Sequence, residues 1–584
     1  MIHPKLPPFQ EIRTRMLRSL CSLVLLTTSA LHAQPHPTET TDRDLLEISV
    51  PQLEQLYATH RYTVTQVVRW HLARIHRYNG IYRDIQNLDE VNALATAARL
   101  DREAATGGSA FHRTPLWGVP IVTKANTSIA GLVTTDGWKG YKLPGHELIA
   151  PKDATIVAHL RAAGAVILGQ SNMPDFAASD TNRSTAFGRT GNAYDVRFSP
   201  GGSSGGTVTA VTSNEAVLGN GTDTGNSIRM PAATSAVVGV FPTRGLVSIA
   251  GIAPLDWLLD NTGPIARDVT SAAIALTVMA GEDPADPRTL GSAKLAQPGP
   301  YTDYLKPGAL KGKRFGVPAF ILAGAGLPFQ GICPESPEKF KADRKAAELP
   351  LTPETRNAFL RSLEGIRKAG AIIVFDDAIL PDSFAETASH VCTLPYIKEG
   401  TQSFLASYGP AQYHSVEAYA QAVGSPVPDT ILNGMNQLDR KDRSPIHPAT
   451  LETDPDAEAT YLGPRRATLA AYNEALDRFH LDGFVYPATQ MPPPDETVAQ
   501  PGEAGNLSGG PHSDTSWVNM IGVPAVVVSG GFYPGGLPFG LEISTRPWHD
   551  GDLLGYAYAY EQATHHRHPP TLVEKGLLPD ADHN

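Results

Sequence analysis

The sequence predicts an α/β fold, a buried sheet with helices on both faces, on three observations. Short apolar runs bounded by glycine recur along the 584 residues, as strands covered on both sides require. Helical stretches stand between those runs, and that alternation is the mark of a covered sheet. A composition of 41 % hydrophobic and 18 % charged residues is ordinary for a folded soluble chain.

The elements follow in order. Ser49 reads as the N-cap of a first helix, after a polar Pro/Thr-rich spacer at Gln34 to Arg43. A second helix is predicted from Thr63 to Tyr78, with Val67, Val68, Leu72 and Ile75 as its apolar stripe, and a third from Asp89 to Ala105, stopped by Gly107 and Gly108. Gly118 to Lys124 and Ala165 to Leu168 are the first buried strands, with a helix at Thr155 to Ala163 between them. Strands at Val237 to Val240, Phe315 to Pro318, Ile372 to Phe375, Gly483 to Tyr486 and Ala525 to Ser529 continue the pattern. Helices at Pro353 to Lys368 and Tyr461 to Phe479 separate some of them. The Pro-, Gly- and charge-rich stretches at about 323–350 and 412–456 read as surface insertions placed to roof a cleft.

Charge and cysteines exclude several classes. The formal charge is −11 with no block of Lys and Arg, so no basic footprint for nucleic acid is expected. The N-terminus carries Arg13, Arg15 and Arg18, then an apolar run from Leu20 to Leu31 and a small residue at Ala33. That order describes a signal peptide over residues 1–33, a run too short to span a bilayer, which takes about 20 residues. Export is expected, with a periplasmic or secreted product and no membrane span once the leader is removed. Cys21 would leave with the leader, so Cys333 and Cys392 could form at most one disulfide. No close Cys/His cluster suggests a metal site, and the bunched His565, His566 and His568 read as a solvated tail.

Three glycine-rich motifs compete for the chemistry. Gly164 to Ser171 nearly fits a phosphate loop, but Gln170 stands where the lysine must be. Gly201-Gly-Ser-Ser-Gly205 is a literal G-x-S-x-G, which in an α/β-hydrolase sits between strand and helix. Asp195 to Pro200 is a poor strand, and the required histidine would have to be His512 or His549, neither of which is marked. The third reading takes Lys124, at the end of a buried strand, with Ser203 and Ser227, each beside glycines.

These residues resemble the amidase signature family of serine hydrolases. Val119-Pro-Ile-Val-Thr-Lys124, Pro200-Gly-Gly-Ser-Ser-Gly-Gly206 and Gly221-Thr-Asp…Ser227-Ile-Arg fall in that family's order. Gly169-Gln-Ser-Asn-Met-Pro-Asp-Phe176, Asn192 to Asp195 and the closing Gly522 to Val528 and Gly536 to Leu541 are similar too. Resemblance is dense from about Leu46 to Arg288, recurs from about Asn519 to Ala563, and is thin between. It implies one large α/β/α domain with a mixed central sheet, over about residues 45–575. It also implies that Ser227 attacks a carbonyl while Ser203, after a cis peptide bond, relays the proton to Lys124.

The chemistry suits those residue types. A hydroxyl is a weak nucleophile and needs a base beside it. Lysine serves only when neutral, and bringing it from ~10.4 to near neutrality corresponds to roughly 4 kcal/mol of burial. By the same resemblance the backbone amides of Thr224, Gly225, Asn226 and Ser227 form the oxyanion hole, with Asn226 departing from the commoner glycine. Asp223 and Arg229 read as an ion pair bracing that loop, and Ser204 as an aid in orienting the relay. The expected enzyme needs no cofactor, and its partner is a small-molecule amide, with esters as further substrates. Two other readings stay open: a His-dependent esterase using the elbow at Ser203 or Ser204, and a catalytically silent periplasmic amide-binding protein. Pocket walls are expected from Asp136 to Ile149 and the two insertions.

Overall fold

The Gly-bounded apolar runs do form strands, and they lie in one sheet. The computed structural model describes residues 37–107, 113–328, 331–333, 336–410, 412–424, 449–498 and 510–571. The predicted leader and Cys21 lie outside these residues. The strands are β1 (Ile85–Leu88), β2 (Pro120–Lys124), β3 (Val166–Ser171), β4 (Arg183–Ser184), β5 (Gly188–Arg189), β6 (Leu218–Asp223), β7 (Val238–Phe241), β8 (Asn261–Ala266), β9 (Arg314–Gly316), β10 (Ile372–Val374), β11 (Gly483–Pro487), β12 (Ala525–Phe532) and β13 (Pro538–Ser544). Eleven of them make a mixed sheet in the order β1-β3-β2-β6-β8-β7-β12-β13-β11-β9-β10, while β4 and β5 form a separate hairpin. Strands β3, β2 and β6 run parallel, and β8 reverses the direction beside them.

β2, β3, β6, β7, β8, β11 and β13 are buried along their whole length, as strands with helices on both faces must be. The helix predicted at Pro353 to Lys368 spans Pro353–Lys368, and the other predicted helices shift by a few residues at their ends. Ser49 and Thr63 each cap a helix through a reciprocal box, with Gln52 and Gln66 as the returning side chains. Gly164 to Ser171 is mostly β3, so no phosphate loop exists there.

Two expectations, the spacer and the first insertion, need correction. The spacer contains a helix, Pro37–Leu45, because proline pre-sets the backbone of a first helical turn. Residues 37–46 belong to one compact unit and those from Glu47 to another, and every feature that follows belongs to the second. The first insertion is not a surface excursion. It holds the helix Pro337–Ala346, buries Leu327, Ile332 and Phe340, and joins the helical layer through a Cys333–Cys392 disulfide. The histidine tail is solvated as expected, with His565 and His568 exposed, and it rests on the surface after the last helix, Asp550–Thr564, where His568 stacks on Phe532 and His566 meets the Tyr560 hydroxyl. Of the second insertion, residues 425–448 lie outside the described ones. Its helix Val416–Val423 buries Tyr419 against Tyr141, and the Tyr419 hydroxyl donates to His146 O at 2.6 Å. The stretch 136–149 and this insertion therefore share one aromatic cluster with Trp138, Phe404 and Tyr408.

Candidate active site

The end of β2 and two loops that lead into helices build the site. β2 ends at Lys124, whose backbone N–H donates to Asn220 Oδ1 of the neighbouring β6 at 3.1 Å, fixing the strand end. Ser203 and Ser204 immediately precede the helix Gly205–Thr212. β6 leads through Thr224 to Ile228 into the helix Arg229–Thr234. The Ser204 amide donates to Ser227 O at 3.2 Å, which ties the two serine loops together.

Lys124 Nζ is buried among oxygens. Ser203 Oγ lies at 2.7 Å, Thr222 Oγ1 at 2.9 Å, Ser204 Oγ at 3.0 Å and Thr222 O at 3.2 Å. Among the described residues no carboxylate stands at ion-pair distance from it. Burial therefore dominates and pulls the ammonium from its ordinary 10.5 to about 7, against the weaker upward pull of Asp136, Asp223 and Asp260. Asp136, at the start of the expected pocket wall, is itself buried, and burial holds its carboxyl well above the usual range despite Lys124.

The Gly202–Ser203 bond is cis. A Cβ on Gly202 would stand 2.4 Å from Thr181 O and 2.5 Å from Ser179 O, so only glycine fits that close approach. The SPGGSSGG stretch is thus packed backbone rather than linker. Ser204 Oγ touches Lys124 Nζ and also the backbone of Thr222, donating to its carbonyl at 3.1 Å and accepting from its amide at 3.3 Å. Ser204 Oγ thus links Lys124 Nζ to the Thr222 backbone.

The loop around Ser227 is braced from below. Asp223 Oδ2 accepts from the amides of Ile228 and Arg229 at 2.9 and 3.3 Å and pairs with Arg229 Nε at 3.0 Å. Arg229 also reaches Glu542 at 2.7 Å, Thr515 Oγ1 at 2.8 Å and Gly225 O at 2.7 Å, and Asn519 Nδ2 donates to Asp223 Oδ1 at 2.9 Å. Thr224 Oγ1 donates to Asp260 Oδ1 at 2.5 Å. Above this brace the amides of Thr224, Gly225, Asn226 and Ser227 donate to nothing else among the described residues. Four consecutive open N–H groups beside a hydroxyl are what a developing oxyanion needs. Ser227 is 4 % exposed and Asn226 5 %, with Asn226 Oδ1 buried and unpaired.

All nine sequence-predicted site residues fall in this one cluster, and the histidines drafted for the elbow do not. His512 pairs with Asp180 at 3.1 Å and His549 with Asp552 at 3.1 Å, while the Ser203 and Ser204 hydroxyls face Lys124. Missed were Thr222, Asn220, Asp260, Glu542, Thr515 and Asn519. Thr222 lies inside the Gly221-Thr-Asp motif and Asn519 at the edge of the recurring resemblance, but nothing in spacing shows that they touch the site.

A buried Ser/Lys cluster beside unpaired amides, on a mixed α/β sheet, defines a class of hydrolytic enzyme. The amidase family profile matches residues 66–329. The chain is 30 % identical over 538 residues to a glutamyl-tRNA(Gln) amidotransferase subunit from Symbiobacterium thermophilum, covering 91 % of this chain and 99 % of that one. The crystal structure of the peptide amidase of Stenotrophomonas maltophilia is similar at a TM-score of 0.69 and 29 % identity, over 90 % of this chain and 98 % of the other. A bacterial aryl acylamidase shares the fold at a TM-score of 0.69 and 21 % identity, over 89 % of this chain and 96 % of the other. The chain belongs to the amidase signature family and is an enzyme that cleaves amide C–N bonds.

Proposed function

We propose that this chain is an exported amidase that hydrolyses a linear carboxylic amide through an acyl-enzyme on Ser227. Neutral Lys124 takes the Ser203 proton as Ser203 takes the proton of Ser227, whose Oγ attacks the substrate carbonyl carbon. The negative charge that develops on the carbonyl oxygen meets the amides of Thr224 to Ser227, each such donor contributing ~3–4 kcal/mol. As the C–N bond breaks, the proton returns through Ser203 to the leaving nitrogen and releases ammonia or an amine. Water then repeats the sequence on the acyl-enzyme and frees the carboxylate. Esters form the same acyl-enzyme and are substrates too.

The observation that carries this reading is Lys124 itself, buried, able to shed its proton near pH 7 and 2.7 Å from Ser203 Oγ. Export is supported by the basic-then-apolar N-terminus and by the Cys333–Cys392 disulfide, which persists in oxidising compartments. A second reading, catalysis within a multi-chain amidotransferase, is favoured by the relationship to the Symbiobacterium protein. Covalent labelling with a fluorophosphonate and peptide mass mapping decides the site. The expected label is on Ser227, absent in Lys124→Ala. A label on Ser203 or Ser204 that ignores Lys124 would overturn it, and no label on folded protein would favour the silent amide-binding reading. Amide turnover by the isolated chain separates the free-standing hydrolase from the amidotransferase component.

A further inference from the structure

Two arginines outside this site converge on one turn. Arg244, after β7, donates its amide to Gly522 O at 3.1 Å, and its side chain lies against Gly522. A Cβ on Gly522, whose φ is +75°, would stand 3.0 Å from Arg244 Cβ and 3.5 Å from Nε. Arg465, in the first turn of the helix Gly463–Arg478, reaches the preceding carbonyl, Ile521 O, at 3.5 Å. Arg244 Nη2 donates to Leu259 O, also at 3.5 Å. Hydrogen bonds that long are marginal, and the Nε of each arginine is buried without a partner. Burial and the neighbouring Arg465 pull Arg244 down to about 9, helped by Arg288 and opposed by Tyr461 and Asp256. Arg288 is already neutralised by a fork on Asp286 at 2.9 and 2.8 Å. Arg244 and Arg465 have no carboxylate at ion-pair distance among the described residues.

We propose that Arg244 and Arg465 form a binding site for a phosphate group. Two adjacent guanidiniums present a double positive charge and several unused N–H donors. A phosphate, with a charge of about −1.5 to −2 and three acceptor oxygens, matches both. A bound phosphate would fasten the Ile521–Gly522 turn to the segment at Leu259 and Asp260. Asp260 in turn holds Thr224 of the oxyanion loop. Neither arginine hydrogen-bonds Lys124, Ser203 or Ser227, so the proposed occupant is an effector acting through Asp260 and not the group cleaved.

The test is thermal unfolding of the full chain at pH 7, with inorganic phosphate replacing chloride at constant ionic strength and acetate as the control. Phosphate is expected to raise Tm saturably by a few degrees, as a ligand of the native state does, and acetate to leave it unchanged. Arg465→Gln, at a partly exposed helix start, should abolish the rise. Calorimetric titration should show phosphate binding to the wild type weakened at least tenfold in Arg465→Lys, which keeps the charge but loses the fork. Equal responses to phosphate and acetate, or a phosphate response unchanged in both variants, would overturn the proposal.

Discussion

Lys124, at the end of β2, and Arg229, at the start of the helix that follows β6, are two cations with no exposed surface, yet they end in opposite states. Around Lys124 stand hydroxyls and a carbonyl, with carboxylates only at a distance. Around Arg229 stand two carboxylates in contact, Asp223 at 3.0 Å and Glu542 at 2.7 Å. Burial penalises both charges, but against Arg229 it loses to those carboxylates and the guanidinium is held above its ordinary range. Against Lys124 burial wins, and the amine falls to about 7. Dipoles that can solvate an amine without fixing its charge make a base; carboxylates make a brace.

The strongest way to break this contrast is to give Lys124 the permanence of Arg229. Lys124→Arg should lower kcat/KM on an amide by about 10³ or more, as Lys124→Ala does, because a guanidinium stays protonated and cannot act as a base. Retention of a tenth of wild-type turnover in the arginine variant would remove Lys124 as the base. In the wild type, kcat/KM should climb as pH rises through about 7, where the amine loses its proton.

Stability should move in opposite directions at the two positions. Lys124 has a folded pKa below its unfolded one, so between pH 10.5 and about 7 the unfolded chain binds the extra proton. Stability therefore falls as pH drops through that window, by roughly 4–5 kcal/mol in total for this group. Lys124→Met removes that penalty and should stabilise the chain at pH 7, with a flatter pH dependence in chemical unfolding. Arg229→Met should destabilise it by about 3–5 kcal/mol, because Asp223 and Glu542 are left buried without their cation. If both substitutions shifted the unfolding midpoint the same way, the contrast would be wrong.

The two cations also differ in how legible they were. Lys124, Ser203 and Ser227 stand beside glycines in short contiguous motifs, so the site could be read along the chain. Asp223 and Arg229 are six residues apart and were readable as a pair. Glu542, 313 residues from Arg229, was not, because that contact exists only once β13 lies in the sheet. β6 and β8 were missed for a related reason. Leu218–Asp223 and Asn261–Ala266 carry glycine and small polar residues with poor strand propensity, and pairing on both sides outweighs it. The lysine's four oxygen contacts come from Ser203, Ser204 and Thr222. Its neutrality follows from that enclosure rather than from any local sequence signal.

The smallest expected effect tests where the oxyanion loop ends and the substrate pocket begins. Asn226 carries a buried, unpaired Oδ1 next to the candidate nucleophile. Asn226→Gly removes that acceptor, worth about 1–3 kcal/mol when left unsatisfied, and adds about 0.5–1 kcal/mol of backbone entropy cost. Stability should therefore change little, within about 1–2 kcal/mol by these same effects. The backbone amide of residue 226 remains, so kcat on a small amide should stay within a few-fold. KM for bulky acyl groups should fall a few-fold if the side chain narrows the pocket. A fall in kcat with KM unchanged would instead assign Asn226 to holding the amides in line, as Arg229 holds the loop beneath them.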